Sequence, residues 1–129
     1  PPGDLYVVII VQDHAIFSRD GTDVICEVPI SFVNATLGAE IEVPTLEGRV
    51  KMKIPSGTQS HAVFRLKRRG IQDVHGGRRG DEHVRVLVET PTQLNAQQKK
   101  LLKEFADKGE ADVHPIAKGF FEKVKELFD

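Results

Sequence analysis

The spacing of apolar residues changes once along this 129-residue chain, near residue 90, and that change constrains the fold more than any other feature of it. Before the change, apolar side chains recur at every second position, the mark of strands with one dry and one wet face. Val24, Cys26, Val28 and Ile30 alternate with Asp23, Ile25, Glu27 and Pro29, and Val50, Met52 and Ile54 alternate with Lys51 and Lys53. Ala62, Phe64 and Leu66 do the same against Arg65 and Lys67, as do Val84, Val86 and Val88 against His83, Arg85 and Glu89. Residues 5–11 are apolar on both faces, which predicts a strand inside a sheet or between layers. Asp20-Gly21, Glu47-Gly48 and Pro55-Ser56-Gly57 punctuate these runs as turns. Residues 31–37 fit one short helix closed by Gly38. The pattern predicts a mainly β chain, built as a small, mainly antiparallel sandwich.

Past residue 90 the period lengthens to three and four. Asn95, with Gln98 three residues on, has the form of a capping box, and Leu101, Leu102 and Phe105 follow at helical spacing up to Gly109. After Pro115 a second stripe runs through Ala117, Phe120, Phe121, Val124, Leu127 and Phe128, opposite Lys118, Glu122, Lys123, Lys125 and Glu126. A helix this short is marginal alone in water, so its stripe needs a partner surface. Two partners fit: the chain's own sheet, or a second subunit.

Hydrophobic residues at 40% and charged ones at 29% belong to an ordinary folded domain rather than a disordered chain. A net charge of −1 gives no global field to recruit nucleic acid or an acidic membrane. The longest uncharged apolar run, residues 5–11, is too short to span a bilayer. The lone cysteine, Cys26, rules out an internal disulfide and fits a reducing compartment, so the cytoplasm is the expected location. The chain opens Pro1-Pro2-Gly3 without a methionine and reads as a fragment whose start lies upstream.

A stretch is used twice. Gly3-Asp4-Leu5-Tyr6-Val7-Val8-Ile9-Ile10-Val11 returns in kind as Gly80-Asp81-Glu82-His83-Val84-Arg85-Val86-Leu87-Val88. Two tandem sandwich units account for it, with residues 1–19 ending a first unit, 20–91 forming a second and 92–129 a helical segment.

No catalytic set stands out. His14, His61, His75, His83 and His114 are scattered, without ligand spacing or a neighbouring cysteine, so no metal site is expected. Cys26 lies on the dry face of a strand, where a buried structural thiol is expected rather than a nucleophile. No nucleophile elbow, phosphate loop or dinucleotide fingerprint is present. Arg65, Lys67, Arg68, Arg69, Arg78 and Arg79 make a basic cluster, but no aromatic residue lies within it to stack on bases. A solvated hairpin turned by Gly70, Gly76, Gly77 and Gly80 accounts for it without a nucleic acid.

The order of short motifs resembles the C-terminal region of the DnaJ co-chaperone family. Gly3-Asp4-Leu5-Tyr6-Val7 and His14-Ala15-Ile16-Phe17-Ser18-Arg19-Asp20-Gly21 are similar to the end of that family's first C-terminal unit. Val28-Pro29-Ile30-Ser31-Phe32, the run 37–48 and Lys53-Ile54-Pro55-Ser56-Gly57-Thr58-Gln59 resemble its second. Phe64-Arg65-Leu66-Lys67, Arg79-Gly80-Asp81 and Val88-Glu89-Thr90-Pro91 follow in the family's order, and the Phe120-Phe121 helix resembles the tail of bacterial members.

The resemblance implies sandwich units that hold unfolded polypeptides in apolar grooves, homodimerisation through the C-terminal helices, and delivery of clients to DnaK by the full-length protein. It places the client surface at Phe17 and, through the internal repeat, at Val24, Ile41 and Val43, for which a plain core role is the alternative. Dimerisation falls to Phe120, Phe121, Val124, Leu127 and Phe128. Neither nucleic acid nor membrane is an expected partner. No cofactor is expected in this piece: the family's zinc motifs, J domain and Gly/Phe-rich linker are absent, and His114-Pro115 continues into Ile116 rather than the Asp of the J-domain loop. A purely structural role, spacing and pairing subunits while clients bind elsewhere in the full-length protein, is the rival reading. His61 and Arg68 stand where the family has glycine, which predicts altered shapes for those two loops.

Overall fold

A computed structural model of the chain describes residues 16–109 and 113–129. The predicted strand at residues 5–11, and with it the first copy of the repeat, lies outside the described residues. The chain divides into two compact units, residues 1–91 and 92–129.

Among its described residues the first unit holds six strands and one short helix: β1 (Phe17–Asp20), β2 (Asp23–Ser31), α1 (Phe32–Leu37), β3 (Ala39–Thr45), β4 (Gly48–Ile54), β5 (Val63–Leu66) and β6 (Glu82–Glu89). Four strands make one sheet in the order β1-β2-β6-β5, and β3 with β4 makes a separate two-stranded sheet. Inward residues of both sheets share one core, Ile30, Val84 and Val86 meeting Val43, Met52 and Ile54 beside Ala35 of α1. This is the mainly β, two-sheet architecture that the alternation predicts.

β1 turns into β2 through two residues, Gly21 and Thr22, and Gly21 supplies the positive φ of +64° that so tight a turn needs. Residues 17–20 thereby join the same sheet as β2. The hairpin of β3 and β4 buries its apolar face and pairs charges on the other, with Glu42 facing Lys51 and Glu40 facing Lys53 across the ladder. The β1–β2, β3–β4 and β5–β6 pairings are antiparallel, but β2 and β6 run parallel over eight residue pairs. Alternation has the same period in either orientation, so periodicity carries no sign of that parallel pair.

α1 begins where the Ser31 hydroxyl accepts the Asn34 N–H at 3.0 Å and ends at Gly38, φ +84°, whose N–H donates to the Asn34 carbonyl. The turn after β4 then donates the N–H groups of Gly57 and Thr58 to the carbonyls of Thr36 and Ala35, satisfying the end of the helix.

The second unit holds α2 (Ala96–Asp107) and α3 (Pro115–Phe128). Asn95 and Gln98 form the reciprocal capping box: the Asn95 side chain accepts the Gln98 N–H at 2.8 Å, and Gln98 accepts the Asn95 N–H at 3.0 Å. Pro115 sits in the first turn of α3, where its missing N–H costs nothing. Neither helix has a buried residue.

Candidate functional site

The four residues assigned to the client surface divide between two apolar clusters. Phe17 and Val24 pack with Cys26, Leu46 and Ile71, while Val43 belongs to the core between the sheets with Ile41 half-buried against it. Val28 touches both clusters. Val24 and Val43 have no exposed surface, which is the position that a plain core role describes, and Phe17 is 7% exposed. The thiol of Cys26 is buried in the same cluster, and burial pushes it up to about 11, so it is neutral and unreactive in the closed fold.

What covers the Phe17 cluster is the long loop between β5 and β6. Ile71 reaches into the cluster from that loop, and three backbone hydrogen bonds hold it there. Gly70 N–H donates to the Gly80 carbonyl at 2.8 Å, Ile71 N–H to the Thr22 carbonyl at 2.7 Å, and Gly80 N–H to the Ile71 carbonyl at 2.9 Å. The chains approach so closely that a β-carbon on Gly70 would lie 2.5 Å from the Thr22 oxygen, and one on Gly80 would strike the same carbonyl. Glycine is required at both positions by contact with neighbouring backbone.

A charged chain ties the loop base to the start of β2. Asp81 N–H donates to the Asp23 carboxylate at 2.7 Å, whose other oxygen meets His83 Nε2 at 2.9 Å. The Asp81 carboxylate in turn accepts the Arg68 N–H at 2.8 Å and pairs with Arg65 Nε at 2.9 Å. The donated Asp81 N–H, and then His83, hold the Asp23 carboxyl below its usual range. Of the basic cluster, Arg65 is thus paired with Asp81, and Arg79 with Glu47.

Glu82 was not singled out by the motif reading. It is fully buried, and among the described residues neither carboxylate oxygen has a hydrogen-bond partner. The signal was present in the sequence: Glu82 shares the parity of Val84 and Val86 and so falls on the dry face. Among the described residues no three His, Cys, Asp or Glu side chains gather in a way that could hold a metal ion.

The five residues assigned to dimerisation all lie on α3. Phe120, Phe121, Leu127 and Phe128 are exposed, from 58% at Phe120 to 84% at Phe128, and Val124 is half-buried. The rings of Phe120 and Phe121 meet edge to face with centroids 5.0 Å apart. On α2, Leu101 and Phe105 are exposed as well.

Residues 1–91 match the family of the DnaJ C terminal domain, and residues 97–129 match the chaperone protein DnaJ C-terminal region. The chain is 56% identical over 128 residues to the chaperone protein DnaJ of Syntrophotalea carbinolica, covering 99% of this chain and 34% of that protein. It is 52% identical to that of Clostridioides difficile, covering 99% and 33%, and 56% identical to that of Geobacillus thermodenitrificans, covering 99% and 34%. The chain spans about a third of the length of these relatives.

Proposed function

This chain belongs to the DnaJ C-terminal domain family, and on that premise we propose that it captures unfolded polypeptide and pairs with a second copy of itself, without catalysis or cofactor. In this reading residues 1–19 lead out of a first sandwich unit, their last residues pairing onto β2 of the second, which 20–91 form, and 92–129 are the pairing segment. In the full-length protein the captured chain passes to DnaK in the cytoplasm.

One observation carries the reading: α3 presents Phe120, Phe121, Leu127 and Phe128 to solvent. Each large apolar side chain buried on pairing contributes about 1.5–3 kcal/mol, and a helix in a two-fold interface contributes each residue twice. Capture is assigned to the Phe17 cluster. β1, which carries Phe17, is at one end of the described sheet, where an added client strand finds backbone partners whatever its sequence. Two linked subunits then hold one client by avidity.

The rival reading, a spacer that pairs subunits and binds no client, is favoured by the complete burial of Val24 and Val43. One variant separates the two. Replacing Phe120, Phe121 and Phe128 together by serine is expected to give a folded monomer by light scattering, with affinity for a permanently unfolded polypeptide reduced at least about tenfold by lost avidity. An unchanged dimer places the interface elsewhere, and a parent chain that binds no unfolded polypeptide leaves the spacer role.

A further inference from the structure

Glu82 sits where the β5–β6 loop rejoins the sheet. Its neighbours in register are Val24 on β2 and Leu66 on β5, neither of which can pair with a carboxylate. Both of its oxygens are buried without a partner among the described residues, a state that strongly disfavours the ionised form. The same loop carries Arg69 and Gly70 near its start and Gly80 near its end, and its hydrogen-bonded base is what seats Ile71 over Phe17, Val24 and Cys26.

The groups acting on Glu82 are few. Burial raises its acid to about 7 from the ordinary 4.5, and the Arg69 charge opposes that rise. From β2, Cys26 faces it, and the Glu82 charge adds to the burial that suppresses that thiol. Arg79 at the loop's far end also has a buried Nε without a partner. Asp23, Asp81, His83 and Arg65 form their own chain of bonds at the loop base, in which Glu82 has no part.

We propose that Glu82 is a proton-operated latch: as a neutral acid it lets the Ile71 lid lie closed, and as a carboxylate it draws in water and the Arg69 guanidinium and releases the lid. Opening sheds one proton to solvent. The lid's opening constant therefore rises about tenfold per pH unit between the two acidities and levels off above the higher one. That the uncovered cluster then receives a client rests on the function proposed above; the gating does not.

Amide hydrogen exchange at Ile71 and Gly80, corrected for its intrinsic base catalysis, tests the latch in the whole chain. Between pH 5.5 and 7.5 the opening constant is expected to rise roughly twentyfold in the parent and to stay flat in Glu82→Gln. Every other group is common to both proteins, so the comparison isolates the contribution of Glu82. A flat parent, or a Glu82→Gln variant as steep as the parent, overturns the proposal. Should the glutamine variant fold poorly, Glu82→Leu serves instead, read by the rate at which a neutral aromatic disulfide labels Cys26. The parent-to-variant ratio of labelling rates should climb over the same range, and a constant ratio overturns the proposal. Lid opening that leaves capture of unfolded polypeptide insensitive to pH upholds the latch and removes this cluster from the client surface.

Discussion

His61 and Arg68 hold backbone angles that L side chains rarely adopt, φ +75° and +62°. His61 is the third residue of the turn closed by Ala62 N–H on the Gln59 carbonyl. It opens a bulge in which its N–H donates to the Val86 carbonyl while Val86 N–H donates to Ala62. At Arg68 the backbone N–H is held by the Asp81 carboxylate. The resemblance to the family, which has glycine at these two positions, predicts altered loops; both residues adopt the left-handed geometry that suits glycine, and the surrounding hydrogen bonds hold them in it. A side chain in that region costs about 1–2 kcal/mol, against about 0.5–1 kcal/mol for the added freedom of glycine in the unfolded chain. Arg68→Gly is therefore expected to stabilise the fold by up to about 1 kcal/mol, seen as a rise of a few degrees in the thermal midpoint; a fall would mean that the arginine side chain makes a stabilising contact. Nothing in a single sequence marks a residue as left-handed unless it is glycine, so this feature became legible only against a family pattern.

At the scale of elements, legibility followed the length of the pattern. β2, β4 and β6 each alternate over seven or more residues and stand where the sequence predicts strands. α2 begins at its capping box for the same reason: the signal is local and chemically specific. β1 has four residues and one apolar side chain among them, too short for a period to appear. The Ile71 lid is a tertiary arrangement, set in part by the Thr22 carbonyl more than forty positions away, and only its glycines show in the sequence. Gly80→Ala tests the lid directly. Its added carbon would meet the Thr22 carbonyl, a backbone group that cannot swing aside. The expected cost is about 2–4 kcal/mol of stability in chemical denaturation. Gly76→Ala in the same loop, with open space around its β-carbon but φ at +82°, should cost about 1–2 kcal/mol. Equal losses would show that Gly80 is not a close-approach point.

Taken whole, the molecule has a sandwich with its own core and a helical unit in whose two helices no residue is fully buried. The first unit was foreseeable in class, because alternation and turn residues agreed over some seventy positions. The second was foreseeable as helices but not in its partner, because an apolar stripe states that something covers it and not what. Removing the residues after Glu110 is expected to leave the sandwich folded with an unaltered thermal transition, while the mass in solution falls from dimer to monomer. Loss of the sandwich's own transition on truncation would show that the tail braces the sheet instead.

The parallel pairing of β2 with β6 also sets a timetable. The hairpins β1–β2 and β3–β4 join neighbours in sequence, but the bond from Asp81 to Asp23 closes across 58 residues. Such non-local pairing must overcome the entropy of a large loop before it gains anything, and it governs how fast a chain can reach its native state. The central ladder therefore closes last. Until β6 has been synthesised and has come home beside β2, the inward face of this sheet stays bare, and during that interval a protein whose relatives are chaperones has the exposed apolar surface of a chaperone's client.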